Sequence, residues 1–68
     1  MITINGAPDT LVQPGCTVRG MLDLLGVDPE ARGVAVAVDA EVVPRPEWGT
    51  FLLTEKARVE VLTAVQGG

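Results

Sequence analysis

The sequence predicts a small α+β fold in which one helix packs on a mixed sheet, with elements in the order β-β-α-β-β-β. Apolar and polar residues alternate near both ends and in the middle of the chain, as they do in half-buried strands. A single segment instead has apolar residues at helical spacing. With 68 residues, 47% of them hydrophobic, the chain suits one domain with one core, spanning 1–68.

The first predicted element is a β-hairpin. The segment MITI (1–4) alternates apolar and polar residues, and Asn5-Gly6 is a strong signal for a two-residue hairpin turn. We predict the second strand over 9–12. Pro8 lies at its start and cannot donate to a ladder, so this strand should lie at a sheet edge.

The helix is predicted to begin after Thr17, which has a side chain suited to an N-cap. One apolar face follows at the spacing i, i+3, i+4 and i+7, formed by Val18, Met21, Leu22 and Leu25. Gly26 stands where a glycine commonly ends a helix. Because so short a helix with an internal glycine is unstable alone, its apolar face should pack on the sheet.

Three strands are predicted after the helix. Residues 33–43 form a β-branched, alternating central strand, with its valines facing the helix and Ala35 and Ala37 facing away. Residues 44–50 contain two prolines and are predicted to lack regular structure. A short strand is expected over 51–53 and the last strand over 57–62.

This order matches the β-grasp, or ubiquitin-like, arrangement, in which the last strand lies beside the first. Residues 63–68 would then leave the sheet as a flexible tail ending in Gly67-Gly68. Five extended residues from Ala64 reach at most about 17 Å, enough to enter another protein's active site. Glycine has no Cβ and permits close backbone approach, so the tail should carry the chemical function.

Missing residue types argue against an enzyme. The chain has no His, Tyr or Ser, so the common nucleophile and base pairs of hydrolases cannot form within it. One Cys and scattered carboxylates offer no metal-ligand spacing. No glycine-rich phosphate motif occurs. We therefore expect neither catalytic residues, nor a metal, nor a bound cofactor.

Charge and hydrophobicity limit the possible partners and location. Five basic and nine acidic residues leave a net charge of −4, and the basic residues are scattered along the sequence. This disfavours nucleic-acid binding and favours a protein partner with a basic rim. The longest apolar run, VAVAV, is too short to span a membrane, and the N-terminus lacks a basic leader. With a single Cys, the expected location is the cytoplasm.

Three segments carry a family resemblance over essentially the whole chain. GCTVRGML (15–22), AVAVDAEVVPRPEW (35–48) and the terminal Gly-Gly resemble the ubiquitin-like sulfur carriers of prokaryotes, most closely the thiamine-biosynthesis carriers, ThiS. VPR followed by Trp48 after two intervening residues is the most specific of these matches. The chain departs from the family pattern at Asp39, where Asn is common, and in the turn at 55–57.

The resemblance implies a mechanism. An E1-like adenylyltransferase (ThiF- or MoeB-like) would use ATP to adenylate the carboxylate of Gly68. A persulfide sulfur from a donor protein would displace AMP and leave a thiocarboxylate. Thiazole synthase (ThiG-like) would then receive the sulfur. The residues expected to enter the partner active sites are Val65, Gln66, Gly67 and Gly68.

Candidate partner contacts are Leu62, Phe51 and Arg45. Leu62 should project from the helix-free sheet face near the tail, and Phe51 on a neighbouring strand either joins it or is buried. Arg45 either braces its loop or contacts a partner. Cys16 is interpreted as structural, since the implied chemistry uses the terminal carbonyl.

Two alternatives remain open from the sequence. The nearer one is the sulfur carrier of molybdopterin synthesis, which shares the fold and the terminus but is usually somewhat longer and stays bound to a larger subunit. The other is a plain β-grasp binding module in which Gly-Gly is incidental. Removing Gly67 and Gly68 would leave the function of such a module unchanged.

Overall fold

The computed structural model describes residues 1–64, and their fold is the predicted α+β arrangement. The helix α1 is Val18–Leu24, and a short 3-10 helix spans Arg45–Glu47. The strands of the described region are β1 (Thr3–Ile4), β2 (Ala7–Pro8), β3 (Val34–Val38), β4 (Glu41–Val42) and β5 (Arg58–Thr63).

The five strands form one mixed sheet in the order β2-β1-β5-β3-β4. β5 runs parallel to β1, whereas the other pairings are antiparallel. The last strand therefore lies beside the first, which confirms the predicted β-grasp topology.

The first hairpin forms where it was predicted, but its second strand is earlier in the sequence. Asn5 and Gly6 have φ angles of 52° and 82°, the positive values that a two-residue hairpin turn of this kind requires. The predicted strand at 9–12 is wrong. The Asp9 carboxylate accepts hydrogen bonds from the amides of Leu11 (2.8 Å) and Val12 (3.1 Å). These local bonds compete with a sheet ladder and turn the chain.

The helix has the predicted ends and the predicted buried face. The Thr17 hydroxyl accepts a hydrogen bond from the Gly20 amide at 3.0 Å, which confirms the N-cap. Gly26 has a φ of 75°, and its amide donates to the Asp23 carbonyl oxygen at 3.1 Å. Along the apolar face, Val18, Met21 and Leu22 are buried, while Leu25 is half-buried against the core.

The predicted single strand at 33–43 is wrong, because the chain reverses in the middle of it. Asp39 and Ala40 have positive φ angles of 52° and 70°, and they join β3 to the antiparallel strand β4. β4 is thus the fourth strand, whereas 51–53 forms an isolated bridge between Leu52 and Thr17. The hairpin was missed because neither turn residue is glycine, the residue most typical of this turn.

The segment 44–50 was predicted to lack regular structure, but it contains the 3-10 helix. Pro46 lies in its first turn, where the fixed φ angle of proline is compatible with a helical backbone. Pro44 is the residue that precedes this turn and has an extended backbone. The prolines therefore set where the helical turn begins.

The core lies between α1 and one face of the sheet. The alternation predicted for β3 is confirmed, since Val34, Val36 and Val38 are buried and Ala35 is exposed. Val59 in β5 is buried and Val61 is half-buried. The core is completed by Ile2, Val12, Val43, Trp48, Leu53 and Ala57, together with the three buried residues of α1.

The last strand extends further than predicted. β5 pairs with β3 from Val59 opposite Val38 to Thr63 opposite Val34. The Ala64 amide then donates to the Gly33 carbonyl oxygen at 2.9 Å. The predicted start of a free tail at residue 63 is therefore wrong, because both Thr63 and Ala64 are hydrogen-bonded to the sheet. The predicted tail residues 65–68 lie outside the described residues.

Candidate functional site

The end of β5 is the point from which the predicted functional segment continues, and a glycine shapes it. Gly33 has a φ of 79°, and a Cβ placed on it would stand 2.6 Å from the Cβ of Ala64. Only glycine tolerates this conformation and this approach without strain. The predicted site residues Val65, Gln66, Gly67 and Gly68 lie beyond this contact and outside the described residues.

Leu62 lies on the sheet face that points away from the core, as predicted. It is 63% exposed and stands opposite Ala35 in the β5–β3 register. On the other side of β3, Val42 is 74% exposed and stands opposite Ala37. These four residues, Leu62, Ala35, Ala37 and Val42, form the outer-face patch. An apolar patch two residues from Ala64 has the character of a protein-docking surface.

Phe51 does not belong to this patch. Its side chain is half-buried and packs against the core, and its carbonyl oxygen accepts a hydrogen bond from the Val18 amide at 3.0 Å. This places it beside the start of α1, while Leu62 faces away from the core. Of the two outcomes predicted for Phe51, packing against the core is therefore supported, and a place on a strand next to Leu62 is wrong.

Arg45 braces the loop between α1 and β3. Its guanidinium donates to the carbonyl oxygens of Pro29, Ala31 (3.1 Å) and Val34 (3.3 Å). It also lies over the Trp48 ring, with 4.6 Å between the guanidinium carbon and the ring centroid. A planar group with several donors can serve three acceptors at once, which supports the bracing interpretation of the VPRPEW segment.

Trp48, whose ring lies under Arg45, is buried and hydrogen-bonded. It is only 4% exposed, and its indole Nε1 donates to the Val43 carbonyl oxygen at 2.8 Å. A buried tryptophan with its N–H satisfied contributes a large apolar surface without a desolvation penalty. The most specific part of the sequence match therefore has a structural role.

Three arginines that are far apart in the sequence meet at a surface cleft of about 540 Å³. We call this cleft, lined by Arg19, Arg32 and Arg45, the arginine cleft. It was missed because the three residues come from the helix, the following loop and the 3-10 helix. Their spacing in the sequence carries no signal of this proximity.

Cys16 and the carboxylates give no candidate metal site among residues 1–64. Cys16 is a free, half-buried thiol whose sulfur lies 3.4 Å from the Thr17 carbonyl oxygen. Within that range, no three His, Cys, Asp or Glu side chains are grouped so that they could hold a metal ion. Nor does any helix there have the length and apolar character needed to cross a membrane.

The chain is similar to two solved structures, and both are of thiamine biosynthesis proteins. The crystal structure of a thiamine biosynthesis protein (ThiS) from Geobacter metallireducens matches with a TM-score of 0.79 and 29% identity, covering 98% of this chain and 97% of that one. The NMR solution structure of a thiamine biosynthesis protein from the same organism matches with the same TM-score and identity, covering 98% and 86%. No curated protein sequence matches.

A family model decides the assignment. The model of the ThiS family matches residues 2–68, which include the whole described fold and the terminal Gly-Gly. The match agrees with the β-grasp topology and with the structural neighbours. This chain therefore belongs to the ThiS family.

Proposed function

We propose that this chain is the sulfur carrier for thiazole formation in thiamine biosynthesis, and that the carboxylate of Gly68 carries the sulfur. The observation that carries the proposal is the family match, which continues to Gly68. The similarity to structures described as thiamine biosynthesis proteins supports the pathway. The chain itself holds no cofactor in this proposal, and it works in the cytoplasm as a protein substrate.

The chemistry takes place in the active sites of partner enzymes. An E1-like adenylyltransferase joins the Gly68 carboxylate to the α-phosphate of ATP, and pyrophosphate leaves. The terminal sulfur of a persulfide donor then attacks the carbonyl carbon, and AMP leaves. A second thiol reduces the resulting acyl disulfide to the thiocarboxylate and is itself oxidised to a disulfide. Thiazole synthase then takes the sulfur.

The position of the end of β5 supports a carrier whose terminal residues enter a partner enzyme. The end of β5 is paired with β3 through Thr63, and the Ala64 amide is hydrogen-bonded to Gly33, so this end is a fixed base for the residues that follow. Four residues beyond Ala64 reach at most about 13 Å when extended. In the proposal, Val65, Gln66, Gly67 and Gly68 enter the partner, while Leu62 and the outer-face patch rest against its surface.

Intact-mass spectrometry tests the carrier chemistry. The chain is incubated with ATP, its cognate adenylyltransferase and a persulfide donor with a reducing thiol. We expect the mass gain of one oxygen replaced by sulfur in the natural chain and in Cys16→Ala, and no gain after deletion of Gly68. The Cys16→Ala control separates a thiocarboxylate from sulfur bound to the only cysteine.

The opposite results point to other functions. If an active enzyme and an intact Gly68 give no sulfur exchange, the carrier proposal fails and a plain β-grasp binding module is favoured. If the thiocarboxylate forms but does not support thiazole formation by thiazole synthase, the carrier serves a different acceptor, such as molybdopterin synthesis.

A further inference from the structure

The arginine cleft is a basic site on an acidic protein. Its charged lining consists of Arg19, Arg32, Arg45 and Glu30, which gives a local formal charge of +2 in a chain of net charge −4. All four of these side chains belong to exposed residues. Three of the five basic residues of the chain are thus concentrated at one place.

One of the three guanidinium groups is held in place before any partner binds. The three acceptors of Arg45 are backbone carbonyl oxygens, which carry no formal charge, so these bonds orient the guanidinium without neutralising it. Contact with the buried Trp48 restrains it further. An arginine already fixed in this way loses little side-chain entropy when it meets an anionic group.

The arginine cleft is linked to the end of β5 through Gly33 and Val34. Arg45 donates to the carbonyl oxygen of Val34, and Val34 pairs with Thr63. Arg32 immediately precedes Gly33, whose carbonyl oxygen accepts the Ala64 amide. A protein that takes up the residues after Ala64 therefore comes close to these arginines.

We infer that the arginine cleft docks an acidic surface segment of the adenylating enzyme, with carboxylates that pair with Arg19 and Arg32 beside the oriented guanidinium of Arg45. The identity of this partner rests on the proposed function. Charge complementarity is the argument: guanidinium groups bind carboxylates with strong, directional hydrogen bonds. The contact would accelerate encounter and fix the orientation of the carrier as its tail enters the active site. The basic partner rim expected from the net charge does not apply at this cleft.

A pair of double variants with equal charge change tests the inference. Arg19→Gln with Arg32→Gln removes two charges from the cleft, while Lys56→Gln with Arg58→Gln removes two exposed charges elsewhere. The adenylation rate is measured against carrier concentration. We expect a KM increase of about tenfold for the cleft variant and of less than about twofold for the control, with kcat unchanged in both.

Added salt provides a second readout in the same assay. The KM of the natural chain should rise with ionic strength, because salt screens the attraction between the cleft arginines and the carboxylates of the enzyme. The KM of the cleft variant should rise less, because two of these arginines have been replaced. Equal KM changes in the two double variants would overturn the inference, since they would reflect net charge alone. All variants have exposed substitutions, and their folding is checked by thermal unfolding.

A binding measurement without the enzyme keeps the inference testable if the carrier chemistry fails. Trp48 is the only tryptophan and lines the cleft, so its fluorescence reports ligands there. An oligoglutamate peptide should change the signal of the natural chain and the Lys56/Arg58 control, but not that of the cleft variant. No response in the natural chain, or a response to inorganic phosphate with an unchanged KM for the cleft variant, would overturn the inference.

Discussion

The Ala64 amide donates a hydrogen bond of 2.9 Å to the carbonyl oxygen of Gly33, and the two residues are so close that a Cβ on Gly33 would lie 2.6 Å from that of Ala64. This contact continues the β3–β5 ladder by one residue beyond Thr63. The base of the proposed functional segment is thus fixed to the sheet, and its close contact with the loop before β3 requires a glycine at position 33.

Replacing Gly33 with alanine should destabilise the fold by about 2–4 kcal/mol. Alanine at position 33 would be strained by the positive φ and would also clash with Ala64. Gly15→Ala is the control, because alanine there would have the strained φ but no clash, and it should cost about 1–2 kcal/mol. Urea unfolding followed by Trp48 fluorescence measures both. Combining Gly33→Ala with Ala64→Gly should recover part of the loss. Equal losses for Gly33→Ala and Gly15→Ala would show that the clash has no cost.

Arg45→Lys should lower the free energy of unfolding by about 1–3 kcal/mol, although it preserves the charge. A lysine ammonium cannot reproduce the planar arrangement that serves the carbonyls of Ala31 and Val34 over the Trp48 ring. Arg58→Lys is the control, and it should change stability by less than about 0.5 kcal/mol at its exposed position. Unfolding by circular dichroism compares them, and similar values would refute the bracing role.

Ala40→Gly should stabilise the protein by about 0.5–1 kcal/mol. Ala40 has a φ of 70°, where an L-residue is strained by about 1–2 kcal/mol. Glycine removes this strain, and the relief is larger than the extra conformational entropy that glycine loses on folding, about 0.5–1 kcal/mol. Ala35→Gly, in the extended strand β3, should instead destabilise by about 0.5–1 kcal/mol. Thermal unfolding gives the sign of each change. A loss of stability in both variants would contradict the strained hairpin turn.

Thr17→Ala should cost about 1 kcal/mol, because the Gly20 amide at the start of α1 loses its acceptor. Thr17→Ser retains the hydroxyl and should stay close to the natural stability. Chemical denaturation of the two variants separates the cap from the loss of the side-chain methyl group. If Ser and Ala were equally destabilising, the hydrogen bond would contribute nothing measurable.

Leu62→Ala should weaken adenylation without unfolding the protein. In the proposal Leu62 is one of the few anchor residues that carry most of the binding energy, and losing about 1.4 kcal/mol at such an anchor raises the KM about tenfold. Leu11→Ala is the matched control, because Leu11 is 67% exposed but lies in the turn after β2. A steady-state adenylation assay compares them. An unchanged KM for Leu62→Ala would remove the outer-face patch from the proposed interface.

Short-range signals were sufficient to predict most of the framework. Thr17 has a hydroxyl that caps locally, Asn5-Gly6 accepts positive φ angles, and the valines of β3 alternate between buried and exposed positions. Each of these features acts within a few residues, so the sequence pattern contains it. The turn of the first hairpin, the helix and the face of β3 that meets it were therefore predictable.

Other features were not predictable because they depend on competition between nearby and distant partners. Residues 9–12 have strand-like composition, yet the Asp9 carboxylate turns them through local hydrogen bonds. Asp39 and Ala40 are held at positive φ by the β3–β4 pairing, although alanine disfavours that conformation. The strand pairing also extends through Thr63, where a tail was predicted.

The sequence by itself determined the turn of the first hairpin, the buried helix face and the ThiS-like motifs, because these follow from spacing along the chain. Only the tertiary structure decided the β3–β4 hairpin, the closure of Ala64 on Gly33, the separation of Phe51 from Leu62, and the meeting of Arg19, Arg32 and Arg45. The physical reason is that these contacts join residues from different elements. Their distances are set by how helix, loop and sheet pack together, which no local pattern specifies.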